Sequence, residues 1–366
     1  MSKNKISILG IRGIPASHGG FETFAEGLAP YLVEQGWDVT VYCQVEGEPK
    51  IETSTWKGVN LVNIYVKQTG ALSTFIFDWK SILHAAKAGG LMLTLGYNTA
   101  MFNFWFRLKG IKNIMNMDGI EWRREKWSFP LKAWFYINEK LGSWLSNHLI
   151  ADHPEIKAHL ERNVGSNKIT VIPYGADDIS SADVQDVNER GLVPNSYGIV
   201  IARPEPENSI LEIVTAFSSE PRSIKLVILG NYSDDNKYHQ SVLAAASKDV
   251  VFLGAIYDSE IVGCLRFHAL FYAHGHQVGG TNPSLVEAMG AGNVIVAHDN
   301  KFNRWVAGDQ QLYFSNTEGC SSIFNTVLYE NEVLTKAAES SKQRFRDNFT
   351  WLSILQQYEK VLLNHL

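Results

Sequence analysis

The chain has 366 residues, 45% of them hydrophobic, and 33 Lys and Arg against 38 Asp and Glu give a net charge of −5. That length favours two domains, and the acidic balance argues against nucleic acid as a partner. The only cysteines, Cys43, Cys264 and Cys320, lie far apart, so neither a disulfide framework nor a zinc site is indicated.

The N-terminus, Met1-Ser2-Lys3-Asn4-Lys5, runs into a strand without a signal-peptide apolar region, and no run approaches about 18 apolar residues. A cytoplasmic location is the expectation. Residues 5–11 read as a strand. Residues 21–35 read as a helix with apolar positions 21, 24, 25, 28 and 32, and Gly36 lies just past its end. Strands follow at 39–43 and 59–66, a helix at 73–87, and strands at 91–95 and 114–117. A helix at 131–145 and a strand at 148–151 complete the first half. Residues 176–195 are polar, acidic and weakly periodic, and read as a linker. The rhythm restarts with strands at 197–202, 225–229, 250–253, 270–273 and 294–297, with helical segments between them. Strand–helix alternation predicts parallel sheets covered on both faces, as two Rossmann-like domains facing a cleft.

Four segments carry candidate chemistry. In the latest, His274-Gly275-His276-Gln277-Val278-Gly279-Gly280-Thr281-Asn282-Pro283-Ser284-Leu285-Val286-Glu287, a strand, a glycine turn and a helix start follow one another. Such a layout aims backbone N–H groups at an anion. Asn282 suits the N-cap, Pro283 the first helical position, and Glu287 lies about one turn inside. His274 and His276 lack a third ligand nearby, which argues against metal.

Gly10-Ile11-Arg12-Gly13-Ile14-Pro15-Ala16-Ser17-His18-Gly19-Gly20-Phe21-Glu22 follows the first strand. It is neither a dinucleotide fingerprint nor a P-loop. Gly19 and Gly20 let backbone approach a phosphate closely; a simple tight turn is the alternative. His18 is placed to face the same loop. The third segment, Ile201-Ala202-Arg203-Pro204-Glu205-Pro206-Glu207-Asn208, ends the first strand of the second half. Arg203 suits bidentate phosphate contact; a surface ion pair with Glu205 or Glu207 is the alternative. The fourth, Met115-Asn116-Met117-Asp118-Gly119-Ile120-Glu121-Trp122-Arg123-Arg124-Glu125-Lys126-Trp127-Ser128, puts Asp118 directly after a strand. Asp118 is the leading candidate to orient or deprotonate an acceptor hydroxyl, Glu121 the second, and a turn aspartate is the alternative. Tyr97 and Asn98 are expected to line the same cleft. Between residues 105 and 136, Trp105, Trp122, Trp127 and Trp134 alternate with Arg107, Lys109, Lys112, Arg123, Arg124, Lys126 and Lys132. That composition fits a membrane interface or an aromatic core.

These segments, in this order, resemble retaining GT-B glycosyltransferases of family GT4, whose Glu-x7-Glu pattern grips a nucleotide sugar. The form Val278-Gly279-Gly280-Thr281-Asn282-Pro283-Ser284-Leu285 is similar to the rhamnosyltransferase-type branch, and the N-terminal half to the DUF1972 domain. Glu287 matches the second Glu; Gly279 stands at the first, and Asn208 stands where the family carries Lys. The resemblance implies an α/β GT-B fold with domains 1–175 and 196–347, linker 176–195, and a C-terminal segment, 348–366, crossing back. It implies metal-independent, retaining transfer with no cofactor beyond the donor, dTDP-rhamnose being the expected one. Gly19, Gly20, Arg203, Asn208, His276, Gly280, Thr281, Asn282, Ser284 and Glu287 are the implied donor side, with Glu287 on the ribose. Tyr97, Asp118 and Glu121 are the acceptor side, and Asp118, Arg203 and Glu287 the catalytic set. The implied partners are a nucleotide sugar and a lipid-linked saccharide; the anionic inner leaflet is a further expectation, from the aromatic–basic belt. A nucleotide-sugar 2-epimerase and a non-catalytic sugar-nucleotide binder are the two alternative functions.

Overall fold

The computed structural model describes residues 3–17, 19–67 and 70–366. It divides into two compact units, residues 1–173 with 351–366, and residues 174–350. In the first unit the elements are β1 (Lys5–Leu9), α1 (Gly20–Glu34), β2 (Asp38–Glu46), β3 (Ile51–Trp56), β4 (Val59–Val66) and α2 (Ala71–Ala88). Then come β5 (Leu91–Leu95), α3 (Phe104–Leu108), β6 (Asn113–Asn116), α4 (Phe129–Leu145), β7 (His148–Ala151), α5 (Pro154–Leu160) and β8 (Ile169–Val171). The second unit has α6 (Gln185–Glu189), β9 (Tyr197–Ile201), α7 (Ile210–Ser218), β10 (Lys225–Leu229), α8 (Lys237–Ala245), β11 (Val250–Gly254), α9 (Ser259–Phe267) and β12 (Phe271–His274). It continues with α10 (Pro283–Gly290), β13 (Val294–His298), α11 (Lys301–Ala307), β14 (Leu312–Phe314), α12 (Thr317–Tyr329) and α13 (Asn331–Asn348). The last helix, α14 (Trp351–Leu363), groups with the first unit.

The first sheet runs β3-β4-β2-β1-β5-β6-β7-β8, parallel except for the antiparallel edge strand β3. Sequence reading misses β3 because Ile51-Glu52-Thr53-Ser54-Thr55-Trp56 is polar and exposed on both faces. The second sheet, β11-β10-β9-β12-β13-β14, is wholly parallel. Its inner strands β10, β9, β12 and β13 are buried on both faces, which is why they read as unbroken apolar runs. In β10, Leu226 and Ile228 pack into one layer and Val227 and Leu229 into the other.

The segment expected to be a free linker, 176–195, is instead part of the second unit. It contains α6, and Val187 and Leu192, 0% and 5% exposed, join that unit's core. Two apolar residues at this spacing were too few to outweigh the polar composition in sequence. Helix α14 packs on α1: Tyr358 lies 4.4 Å from Phe24, ring to ring, and Glu359 accepts from Tyr31 Oη at 2.9 Å and Trp37 Nε1 at 3.2 Å. Among the described residues no helix is long and apolar enough to cross a membrane.

Candidate functional site

Each sheet has one point where strand order reverses. In the second unit β9 lies between β10 and β12, so the loops after β9 and β12 leave a common edge. Open α/β sheets bind ligands in such crevices. Arg203 and the 275–282 turn both sit there. The loops are stitched together: Gln277 N–H donates to the Glu207 carbonyl at 2.9 Å, and Gln277 Nε2 to Ser209 Oγ at 2.9 Å. Gly275 is required by this closeness, because a Cβ there would lie 2.1 Å from the Asn208 carbonyl oxygen.

Arg203 is exposed, and among the described residues its guanidinium has neither an ion pair nor a hydrogen bond. The surface pair with Glu205 or Glu207 does not form. Asn208 is corrected: it is 5% exposed, and its Nδ2 donates to the Arg203 carbonyl at 2.8 Å. It shapes the Arg203 loop from inside.

Helix α10 begins as its sequence requires, with Pro283 in the first turn and Asn282 Oδ1 accepting from the Ser284 amide at 3.0 Å. That cap takes one of the amides expected for an anion. The Gly280 and Asn282 amides have no acceptor among the described residues. Thr281 is buried at 5%. The Ser284 hydroxyl, assigned to the donor, is held inside instead: Tyr272 Oη donates to it at 2.8 Å and Arg266 Nη2 at 2.8 Å.

Arg266 is the residue sequence reading missed. It lies on α9, 5% exposed, and its Nη2 pairs with Glu287 Oε2 at 2.6 Å. The available signal was a lone cation in the apolar run Ile261-Val262-Gly263-Cys264-Leu265-Arg266-Phe267. Glu287 keeps 38% of its side chain accessible, so one carboxylate is both anchored and available. Gly279 has a φ of 134°, strained for any residue with a Cβ, although nothing lies within 4 Å of where that Cβ would be. The His276 ring stacks on buried His274 with centroids 4.3 Å apart, and its carbonyl accepts from Asn300 and Asn303 at 2.9 Å. Burial pushes the His274 imidazole well below its ordinary pKa, with His276 and His298 adding to the fall. Among the described residues no group of three or more His, Cys, Asp or Glu is disposed to hold a metal.

In the first unit the order reverses at β1, between β2 and β5. In the glycine loop after β1 two of the amides are taken by carboxylates of α1. Glu22 Oε1 accepts from the Arg12 amide at 3.0 Å, and Glu26 Oε2 from the Ala16 amide at 2.9 Å. Glu22 in the first turn of α1 supplies its own anion to the helix start. A Cβ at Gly19, whose φ is 108°, would lie 2.2 Å from the Glu22 carboxylate. The Glu22 carboxylate thus lies beside Gly19, on the side where a Cβ would point. His18 lies outside the described residues.

Asp118 follows β6 in a left-handed conformation, φ 53°, which Asp and Asn tolerate better than other side chains. The loop is fixed from behind by Asn116, whose Oδ1 accepts from the Asp118 amide at 2.9 Å and whose Nδ2 donates to Tyr358 Oη on α14 at 2.6 Å. Burial pushes the Asp118 carboxyl up to about 6, with Glu121 adding to the rise; the Gly119 amide, Arg124 and Lys126 oppose it. This is the environment of a group tuned to exchange a proton near neutrality. Tyr97 does not line a cleft: it is 1% exposed, donates to the Gly119 carbonyl at 3.0 Å and accepts from the Glu121 amide at 2.8 Å. Glu121 is also taken, by Arg124 Nη1 and Trp127 Nε1, both at 3.1 Å. Both residues hold the Asp118 loop in shape.

The aromatic–basic belt divides. Trp122 donates to buried Glu139 at 2.7 Å, Trp127 to Glu121, and Trp134 to the Asn98 carbonyl at 2.8 Å, while Phe135 is 9% exposed. These four make contacts inside the unit, while Phe129 in the same segment is 83% exposed. Asn98 takes part through its backbone.

Parallel sheets with helices on both faces, one in each unit, define the GT-B fold. Residues 3–177 match the family described as a domain of unknown function, DUF1972. No curated protein matches the sequence. Among solved structures the chain is similar to a sucrose-phosphate synthase from Thermosynechococcus elongatus, with TM-score 0.82 and 14% identity over 99% of each chain. Anabaena Alr3699/HepE in complex with UDP and glucose gives 0.77 and 16%, covering 99% of this chain and 100% of that one. A UDP-forming α,α-trehalose-phosphate synthase from Burkholderia xenovorans, in complex with glucose-6-phosphate, gives 0.73 and 11%, covering 98% and 100%.

Proposed function

We propose that this protein is a retaining, metal-independent glycosyltransferase that moves a sugar from a nucleotide-sugar donor, dTDP-rhamnose, to a lipid-linked saccharide. The observation that carries the reading is the arrangement at the second sheet's switch point. An unpaired Arg203, the unclaimed Gly280 and Asn282 amides and an anchored but accessible Glu287 stand at one crevice. The UDP and glucose in the HepE complex support a nucleotide sugar as partner. As the anomeric C–O bond breaks, its electron pair passes to the leaving diphosphate. Arg203 and the two amides stabilise that growing charge. The acceptor oxygen bonds to the anomeric carbon, and Asp118 takes its proton.

Arg203→Ala is expected to lower kcat by on the order of 10²–10³ with little change in donor Kd. A shift confined to KM would make Arg203 a binding residue only. Activity is expected to persist in EDTA, since Asp234-Asp235 sits exposed in a turn and offers no clamp; loss restored by Mg²⁺ or Mn²⁺ would sink metal independence. Labelled dTDP-rhamnose, incubated with and without a lipid-linked saccharide, tests the whole reading. Extended acceptor supports it. Epimerised donor without acceptor would make the protein a 2-epimerase, and bound but unchanged donor a sugar-nucleotide binder.

A further inference from the structure

The first unit carries an apolar slot that neither half of the proposed site uses. Leu72, Ile76 and Trp79 recur along α2 at spacings of four and three, so they share one helix face. That face is open: the three are 73%, 39% and 37% exposed. Met101, Phe104 and Leu108 repeat the pattern along α3 and the 3-10 turn Ala100–Asn103 before it, at 37%, 55% and 61%. Between them lies a cavity of about 320 Å³, lined by Phe75, Trp79, Met101, Phe102, Phe104 and Trp105. Ring packing sets its walls, with Phe75 4.6 Å and Trp79 5.0 Å from Phe102, and Trp79 6.1 Å from Trp105. Contiguous exposed apolar surface of this kind marks an interaction site.

Charge selects the occupant. Between Trp79 and Met117 the sequence holds Lys80, Lys87, Arg107, Lys109 and Lys112, and neither Asp nor Glu. Arg107 and Lys109 are exposed at the end of α3, with Lys109 Nζ 5.5 Å from the Trp105 ring centroid. A protein partner with acidic groups would answer the cations, but a slot walled only by apolar side chains offers it no hydrogen bonds. Cations beside Trp and aliphatic side chains match the headgroup and acyl boundary of an anionic bilayer.

We propose that the α2–α3 face seats this unit on an anionic membrane, and that the slot takes one hydrocarbon chain of a membrane lipid. This deepens the sugar-transfer reading by naming the surface through which a lipid-linked acceptor is met, and it rests on that reading only for the acceptor's identity. The face is separate from the Trp122–Phe135 segment, where Trp122, Trp127 and Trp134 donate to groups of the same unit.

The test is co-sedimentation with vesicles of phosphatidylcholine alone or mixed in equal parts with phosphatidylglycerol. The variant Leu72→Ser/Phe104→Ser/Leu108→Ser alters only exposed side chains, so its melting curve should match the parent's. It is expected to lower affinity for the anionic vesicles at least about tenfold. Arg107→Ser/Lys109→Ser should weaken binding at low salt, and the difference should vanish at high salt. Brominated acyl chains should quench the protein's fluorescence, and Trp79→Phe/Trp105→Phe should remove most of that quenching.

The proposal is overturned if the parent protein ignores anionic vesicles, or if the triple variant binds like the parent. It is also overturned if the triple variant converts a parent dimer to a monomer, which would make the face a self-association surface. Calorimetry with nucleotide sugar on the same proteins keeps the two readings apart. Intact donor binding without vesicle binding sinks the docking surface alone. Vesicle binding without donor binding sinks the sugar-transfer reading alone.

Discussion

Asp118→Asn is expected to abolish sugar transfer while making the protein more stable. If Asp118 is the group that takes the acceptor proton, its loss removes on the order of 10²–10⁴ of the rate. Asn tolerates the left-handed φ of 53°, and its Oδ1 can still accept from the Gly119 amide, so the loop should keep its shape. In the parent, turnover should fall about tenfold per pH unit below the Asp118 pKa of about 6, because the base becomes protonated. Stability moves the other way. Folding raises this pKa from 3.8 to about 6, so the folded state binds the proton more tightly than the unfolded state. The destabilisation is absent below 3.8, grows between 3.8 and 6, and is complete above 6. The Asp118→Asn substitution removes it, so the gain should reach up to about 3 kcal/mol at about pH 7.5 and vanish near pH 3.5. Urea melts at both pH values, with donor binding as a fold control, check this. Transfer at the parent rate would move the proton-accepting role away from Asp118. An unchanged melt at the higher pH would mean that the carboxylate is solvated.

The second large effect lies in the second unit. Glu287→Ala is expected to destabilise the protein more than Arg266→Met, although Glu287 is the more exposed partner. Removing Glu287 leaves a guanidinium, 5% exposed, with only Ser284 Oγ on Nη2 and no partner on Nε. An uncompensated buried charge of this kind costs about 3–5 kcal/mol. Removing Arg266 leaves a carboxylate with 38% of its side chain exposed, which water can rehydrate. That loss should be nearer about 1.5 kcal/mol, the worth of a hydrogen bond to a charged group, because Met fills the volume. Donor affinity must therefore be measured on Glu287→Gln, which keeps an acceptor for Arg266. It should fall by about 1.5–3 kcal/mol in calorimetry. If Glu287→Ala melts like the parent, the ion pair is not the anchor described here. If Glu287→Gln binds the donor normally, Glu287 does not reach it.

The α/β architecture was legible in the sequence because parallel strands buried on both faces leave unbroken apolar runs. Strands such as β5, β7 and β10 fall where those runs do. The start of α10 was equally legible, since Asn282 and Pro283 act within one turn. The polar edge strand β3 was not, because it buries no face, nor was α6, which packs against α9, far along the chain.

By itself, then, the sequence determined the α/β rhythm, the capped start of α10, and the placement of Asp118 and Arg203 at strand ends. These depend on residues within a few positions of one another, where periodicity and capping act. Only the tertiary structure decided which polar groups stay available. Ser284 and Tyr97 are engaged by partners on other elements, Asn208 and Glu121 by partners within six residues along the chain, while Arg203 is left unpaired. It alone supplied Arg266 to Glu287 across 21 residues of chain, and Tyr358 to Asn116 across 242. A side chain's polarity is written in the sequence. Whether that polarity is satisfied inside the fold or offered to a ligand is set by strand order, which brings together groups that no local pattern relates.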